Sequence, residues 1–298
     1  SMGSKIGFIG LGLMGSAMVG RLQDCNYQMI VLGNKDRSGL EKAVARGARE
    51  AVSGSDLANE SDVIMLCMGT SDQVEDRILG HEGIIYGLSP GKVIIDFGTS
   101  LPSSTKKIAE KIADTGATIL DAPLGRTPHH AKDGLLNIMA AGDKNIFDKV
   151  SPILENLGEN VFYLGGLGTG HTIKLMNNFF GMTIANAMAE VFAVADASGV
   201  SRETVYKVIS AGPLHSSMMD FISAFGLEGD KSKLEFAVKN AHKDVNYYRL
   251  MTEKLGIDSI MSESANKALT KARDSGYDEA MVCEMIDFFK NHYSADKI

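Results

Sequence analysis

The chain has 298 residues, 44% of them apolar, which is enough for two domains with real cores. Its formal charge of −7 argues against nucleic acid as a bulk partner, no apolar run approaches the length of a bilayer span, and no signal peptide is visible. Cys25, Cys67 and Cys283 form neither a CxxC pair nor a metal-ligand spacing, so a reducing cytoplasm is expected and a metal centre is not.

Ser1 before Met2 reads as a remnant of tag cleavage. Short apolar runs at 6–9, 29–32, 63–67, 93–96 and 118–120 predict buried strands, and amphipathic stretches at 14–23, 39–45, 103–113 and 145–157 predict helices between them. That alternation predicts βαβ units and a mainly parallel, doubly wound sheet. Runs at 136–140 and 161–164 predict later strands. The pattern changes at the glycine cluster Gly165-Gly166-Leu167-Gly168-Thr169-Gly170. A long helix is predicted over 172–197, apolar on much of its circumference and hence a buried spine between domains. Helices at 202–210, 234–254, 259–274 and 280–291 follow, with no convincing strand among them. The sixteen methionines read as flexible core filling.

The first strand runs directly into Gly10-Leu11-Gly12-Leu13-Met14-Gly15, which opens a helix. In that setting GxGxxG predicts a dinucleotide pyrophosphate at the helix N-terminus. The first glycine allows the tight turn, the second the approach of the ligand, and the third the packing of helix on strand. Without a ligand it is a glycine-rich turn. At the end of the second strand, where an acid would hold a ribose 2′-OH, the sequence reads Gly33-Asn34-Lys35-Asp36-Arg37. With no acid at 33–34 and two cations nearby, the preference leans to NADP over NAD, although a shift of register would restore an acid through Asp36. Met68, just past the third core strand, is a further candidate for cofactor contact.

Asp121-Ala122-Pro123-Leu124-Gly125-Arg126-Thr127 follows a predicted strand. The Gly125-Arg126-Thr127 turn offers backbone N–H groups, a guanidinium fork and a hydroxyl, which suits an oxyanion; the alternative is a surface arginine in a loop. His129 and His130 lack further ligands at a zinc spacing and read as loop residues. Lys174 and Asn178, four apart, are polar residues on one face of an apolar helix. A lysine facing a carbonyl can donate a proton; the plainer reading is a lysine reaching to solvent at a helix start. Lys243-Asp244, taken alone, is an exposed ion pair. No GxSxG sequence or serine–histidine–aspartate set is found.

Taken together, these motifs resemble the β-hydroxyacid dehydrogenase family, which includes 3-hydroxyisobutyrate dehydrogenases and semialdehyde reductases. The resemblance covers nearly the whole chain. It runs from Gly7-Phe8-Ile9-Gly10 through Asp96-Phe97-Gly98-Thr99-Ser100, Asp121-Ala122-Pro123, Gly168-Thr169-Gly170 and Lys174 with Asn178 to Lys243-Asp244. It implies that Lys174 is the catalytic acid/base, and that Asn178, with Asn177 beside it, helps hold substrate. It further implies that Lys243 lies near nicotinamide and substrate, that Thr99 borders the nicotinamide, and that Asn34-Lys35 looks like the Asn-Arg of NADP-using members. Two positions depart from the common pattern. Gly125-Arg126-Thr127 stands where most members have Ser-Gly-Gly and is similar to the sulfonate-gripping turn of the sulfolactaldehyde reductase branch. Gly98 stands where many members have serine.

The expected architecture is a Rossmann-like α/β domain over 1–165 and an all-α substrate and dimerisation domain over 166–298, with cofactor and substrate in the cleft between them. The expected reaction is NAD(P)-dependent interconversion of a small anionic semialdehyde and its hydroxy acid, in a homodimer or homotetramer without nucleic-acid or membrane partners. A non-catalytic dinucleotide sensor and an imine reductase on the same scaffold are the rivals; retention of Lys174 and Lys243 counts against the first, and Lys174 against the second.

Overall fold

A computed structural model describes residues 4–295; the reading of Ser1 and Met2 lies outside the described residues. The chain divides into two compact units, one ending at Lys174 and the other beginning at Leu175.

In the first unit the elements run β1 (Lys5–Ile9), α1 (Leu13–Asp24), β2 (Gln28–Leu32), α2 (Ser38–Ala45), β3 (Arg49–Glu50), α3 (Gly54–Glu60), β4 (Val63–Leu66), α4 (Ser71–Leu79), β5 (Val93–Asp96), α5 (Pro102–Ile112) and β6 (Thr118–Asp121). These six strands form one sheet in the order β3-β2-β1-β4-β5-β6, parallel throughout. Strands covered on both faces read as continuous apolar runs, and β4 and the first three residues of β5 are fully apolar and buried for that reason. Successive side chains serve opposite faces: Ile6, Phe8, Met65 and Ile95 join one core, Ile9, Ile64, Leu66 and Ile94 the other. Chain order reverses between β1 and β4, so the crevice at the carboxyl ends of those strands is where such sheets bind ligands.

A second, three-stranded sheet follows: β7 (Leu124–Gly125), α6 (Pro128–Lys132), β8 (Leu136–Ala140), α7 (Lys144–Leu157) and β9 (Gly158–Tyr163). β7 pairs antiparallel with β8, and β8 parallel with β9. The sequence reading lacks α3, α4, β3, β7 and α6, and β9 starts three residues before the expected 161. All three missed helices carry legible caps, since the hydroxyls of Ser53, Thr70 and Thr127 accept from the amides three residues on.

The second unit is helical: α8 (Thr169–Ser198, shared across the boundary), α9 (Arg202–Ser210), α10 (Ser217–Glu228), α11 (Val238–Lys254), α12 (Ile260–Ala272) and α13 (Met285–Ala295). Its core gathers Met182, Phe192, Ile222, Val245, Leu269 and Ile286. Helices expected from 234 and 280 start later, at 238 and 285. The physical reason is a long-range pairing: Val238 N–H donates to the Ala280 carbonyl and Val282 N–H to the Phe236 carbonyl, so both segments are extended before they coil.

α8 is 30 residues long and, by length and composition alone, apolar enough to cross a membrane, which corrects the expectation that no segment is. The same properties belong to a core helix, and Leu175, Met182, Ala185, Ala189 and Phe192 are buried inside the protein. It is not covered all round, however: Met176, Phe180 and Val194 are exposed.

Candidate functional site

The glycine loop carries out three separate tasks. Gly10 has φ of +102°, and a side chain there would start 2.2 Å from the Cys67 carbonyl oxygen. At Gly15 a Cβ would fall 1.7 Å from the Gly10 carbonyl oxygen, so only glycine lets α1 press onto the turn. Gly12 is the opposite case: nothing lies within 4 Å of where its side chain would begin. It is the N-cap of α1 with no side-chain cap, and the first-turn amides of Leu13, Met14 and Gly15 have no acceptor within the helix. Open space in front of uncapped amides is the cradle a pyrophosphate needs, so the residues present fit a dinucleotide. Leu11 lies against Gly39 of α2, and Leu13 is exposed at the mouth of the loop.

At the end of β2, Asn34 and Lys35 are exposed. Asp36 is engaged locally: its Oδ1 accepts from the Ser38 hydroxyl at 2.7 Å and the Ser38 amide at 3.0 Å. Those two bonds hold its carboxyl below the usual range. Arg37 reaches Glu50 at 2.8 Å, with Nη1 3.0 Å from where a Gly33 side chain would start.

Met68, Gly98 and Thr99 follow β4 and β5. The Met68 sulfur lies 3.1 Å from the Cβ position of Gly10, and the Met68 carbonyl oxygen 2.8 Å from that of Gly98. A serine at 98 would collide with that carbonyl, which accounts for the departure there. Thr99 is half-buried beside it. Burial, with the charge of Asp96 nearby, pushes the Cys67 thiol up to about 12, so it is no nucleophile.

β5 and β6 end in Asp96 and Asp121, paired in register and both buried. Asp96 Oδ1 accepts from the Gly98 amide at 2.9 Å, and its Oδ2 lies 3.3 Å from Nε2 of the buried His171. Asp121 accepts from the amides of Gly168 at 2.8 Å and His171 at 2.9 Å, one with each oxygen. It is the N-terminal anchor of α8. Gly168 takes φ of +93° to enter the helix, and a Cβ on Gly170 would meet the Met139 carbonyl oxygen at 2.4 Å. These bonds hold the first turns of α8 to the sheet, and the first compact unit accordingly runs on to Lys174.

Lys174 sits one turn beyond His171. Its Nζ donates to the Leu124 carbonyl oxygen at 2.7 Å, so Gly168, His171 and Lys174 are all held by the segment 121–124. Two residues past Leu124, Arg126 adopts φ of +76°, and its guanidinium pairs with Glu159 and the Leu135 carbonyl oxygen. Thr127 is partly committed: its hydroxyl caps α6 and lies 2.7 Å from His130 Nδ1. Gly125 packs on Asn137, 3.2 Å from its Cβ position.

In the second unit, Asn178 Nδ2 donates to Asp244 Oδ2 at 2.8 Å, and Lys243 Nζ lies 3.2 Å from Asp244 Oδ1. Asp244 is buried, so the Lys243–Asp244 pair is not the exposed one its sequence alone gives. Asn177 Nδ2 donates to Asn178 Oδ1 at 3.1 Å, and Phe179 stacks on Tyr248 at 4.2 Å. Asn177, Asn178 and Lys243 are thus linked through Asp244, a residue the sequence reading left without a role. No group of three or more potential metal-binding side chains occurs among the described residues.

Two family profiles match the chain. One, the NAD binding domain of 6-phosphogluconate dehydrogenase, covers residues 5–165; the other, NAD-binding of NADP-dependent 3-hydroxyisobutyrate dehydrogenase, covers residues 168–289. The uncharacterized oxidoreductase YkwC of Bacillus subtilis is 33% identical over 255 residues, 86% of this chain and 88% of its own. The cytokine-like nuclear factor N-PAC of Gallus gallus is 27% identical over 269 residues, 90% of this chain; the chain spans about half of that relative's length, 48%. Among solved structures, a 3-hydroxyisobutyrate dehydrogenase from Salmonella typhimurium has the same fold, with a TM-score of 0.82 at 21% identity over 96% of this chain and 99% of that one.

Proposed function

The chain belongs to the β-hydroxyacid dehydrogenase family and carries its NAD(P)-binding architecture, and from that premise we propose that it reduces a small anionic semialdehyde, ending in carboxylate or sulfonate, to the hydroxy acid, or runs the reverse. The observation that supports this most is the bond from Lys174 Nζ to the carbonyl oxygen of Leu124, the residue immediately before the Gly125-Arg126-Thr127 turn. Bound NADPH would supply the hydride. Lys174 gives a proton to the carbonyl oxygen as the C=O bond becomes C–O–H, and takes it back in the oxidative direction. Arg126 holds the remote anion, so that binding energy orients the carbonyl. Turnover of short aldehydes with and without an anionic tail, followed by NADPH absorbance, tests the proposal; no turnover of any anionic aldehyde would overturn it. That result would favour the second reading, a dinucleotide binder without turnover, which the similarity to a nuclear factor supports.

NADPH is the preferred cofactor in this reading. Asp36 is occupied by Ser38, and Lys35 is exposed at the strand end. NADPH is expected to bind more tightly than NADH, and Lys35→Ala to narrow the gap by about tenfold, the worth of one charge-assisted hydrogen bond. Equal binding of both cofactors by the parent would contradict it.

Arg126→Gly separates binding from folding. A side chain at φ of +76° is strained by about 1–2 kcal/mol, which glycine relieves while the pairing with Glu159 is lost. The melting temperature is therefore expected to move by only a few degrees. KM for the anionic aldehyde is expected to rise about 10- to 150-fold, the loss of a hydrogen bond to a charged group. A KM within twofold of the parent would remove Arg126 from the site.

The second unit leaves Val208, Leu214, Phe180 and Ile260 largely exposed. This supports assembly of two or more copies through the helical half; light scattering showing only monomer at micromolar concentration would contradict it. Three free cysteines support a reducing, cytoplasmic setting with a small-molecule partner and neither nucleic acid nor membrane. Recovery of the protein in a membrane fraction would argue otherwise.

A further inference from the structure

The Arg126 guanidinium is divided between two tasks. Nη1 donates to the Leu135 carbonyl oxygen at 2.8 Å and to Glu159 at the start of β9. A guanidinium Nη carries two hydrogens, so this nitrogen is fully used. Nε and Nη2 have no hydrogen-bond partner among the described residues. The Nε–H and one N–H of Nη2 form the parallel fork that meets two oxygens of one oxyanion side-on. The side chain is 31% exposed, so that edge is open to solvent. It is held this way in spite of a left-handed backbone that a glycine would adopt without strain.

We propose that Glu159 is a specificity-determining residue: it orients the free edge of Arg126, and its negative charge restricts the bound tail to a singly charged oxyanion, carboxylate or sulfonate, against a phosphate dianion. The proposal rests on Arg126 holding the substrate anion. With Glu159 at one nitrogen, the guanidinium has one positive charge already shared. The Arg126–Glu159 pair is neutral by itself, so a monoanion on the opposite edge leaves one net negative charge there and a dianion leaves two. A dianion brings a second negative charge to within several ångströms of the Glu159 carboxylate, and that repulsion weakens with salt because Glu159 is 52% exposed.

The test is equilibrium binding to the NADPH-loaded protein at pH 7.5, read from NADPH fluorescence. The probes are ethanesulfonate and methyl phosphate, the latter mainly a dianion at that pH because its second pKa is about 6. The parent is expected to prefer ethanesulfonate. Glu159→Gln keeps an acceptor for Nη1 without the charge, and should shrink the preference about tenfold by strengthening methyl phosphate while ethanesulfonate stays within about threefold. Glu159→Ala removes the acceptor as well, and should weaken ethanesulfonate about fivefold relative to the Gln variant. An unchanged ratio in Glu159→Gln, with Arg126→Ala still weakening ethanesulfonate, overturns the role of Glu159 alone. Arg126→Ala binding both anions as the parent does overturns the anion-holding role of Arg126 and the present proposal with it. Turnover of 2-oxoethanesulfonate against glycolaldehyde phosphate should follow the same ratios.

Discussion

Lys174→Ala is expected to lower kcat by about 10²- to 10⁴-fold, the range for loss of a general acid–base group, with NADPH affinity unchanged. The cofactor cradle lies at the N-terminus of α1, whereas Lys174 bonds the Leu124 carbonyl oxygen after β6. The alanine variant alone cannot separate proton transfer from anchoring, because the Nζ also bonds the Leu124 carbonyl oxygen at 2.7 Å. Lys174→Arg makes the distinction. A guanidinium can reach the same carbonyl and keeps the charge, but it holds its protons far too tightly to be a good proton donor. Steady-state kinetics should therefore show the arginine variant as slow as the alanine one. An arginine variant with near-parent kcat would assign Lys174 to anchoring and leave the acid to another group.

Asp121→Asn is expected to be the most damaging isosteric change in the first unit. Each carboxylate oxygen takes one helix amide, from Gly168 and His171, in a fully buried position. Asparagine offers one acceptor and turns its NH₂ toward the other amide. An unmet buried donor costs about 1–3 kcal/mol, and the lost charge at a helix N-terminus adds about 0.3–1 kcal/mol. Denaturant titration should show a loss of about 1–4 kcal/mol. The variant also loosens the turn that carries Lys174, and a misplacement of about 1 Å can cost up to ~10²-fold in rate. kcat per folded molecule is expected to fall while the NADPH dissociation constant holds. A normal kcat in a destabilised protein would show that Asp121 serves folding only.

What the sequence reveals of this site divides by the range of the interactions. Gly10, Gly12 and Gly15 are legible because their three tasks are settled within one turn between a strand and a helix. The parallel sheet is legible because strands covered on both faces leave unbroken apolar runs. Asp121 stands in the Asp121-Ala122-Pro123 motif, yet nothing local gives its role, since its partners lie 47 and 50 residues further on. Glu159 is similarly silent, 33 residues from Arg126 and separated from it by β8 and α7. Asp244 is mistaken for a surface charge because it is buried and its side-chain partner Asn178 lies 66 residues earlier. The late starts of α11 and α13 follow the same logic, since a helical pattern at 234–237 yields to backbone pairing with 280–282.

The placement of Lys174 on the first unit, by a helix that then continues into the second, bears on how relatives could be recombined. A crossover at the glycine cluster near 165 looks natural from the sequence. It would import the partners of Asp121, the imidazole facing Asp96 and the lysine itself from a different parent. A junction inside α8 just after Lys174 keeps those three contacts with the sheet that makes them. Chimeras joined there should yield more folded, active protein than chimeras joined at 165, despite cutting through a helix and not a loop.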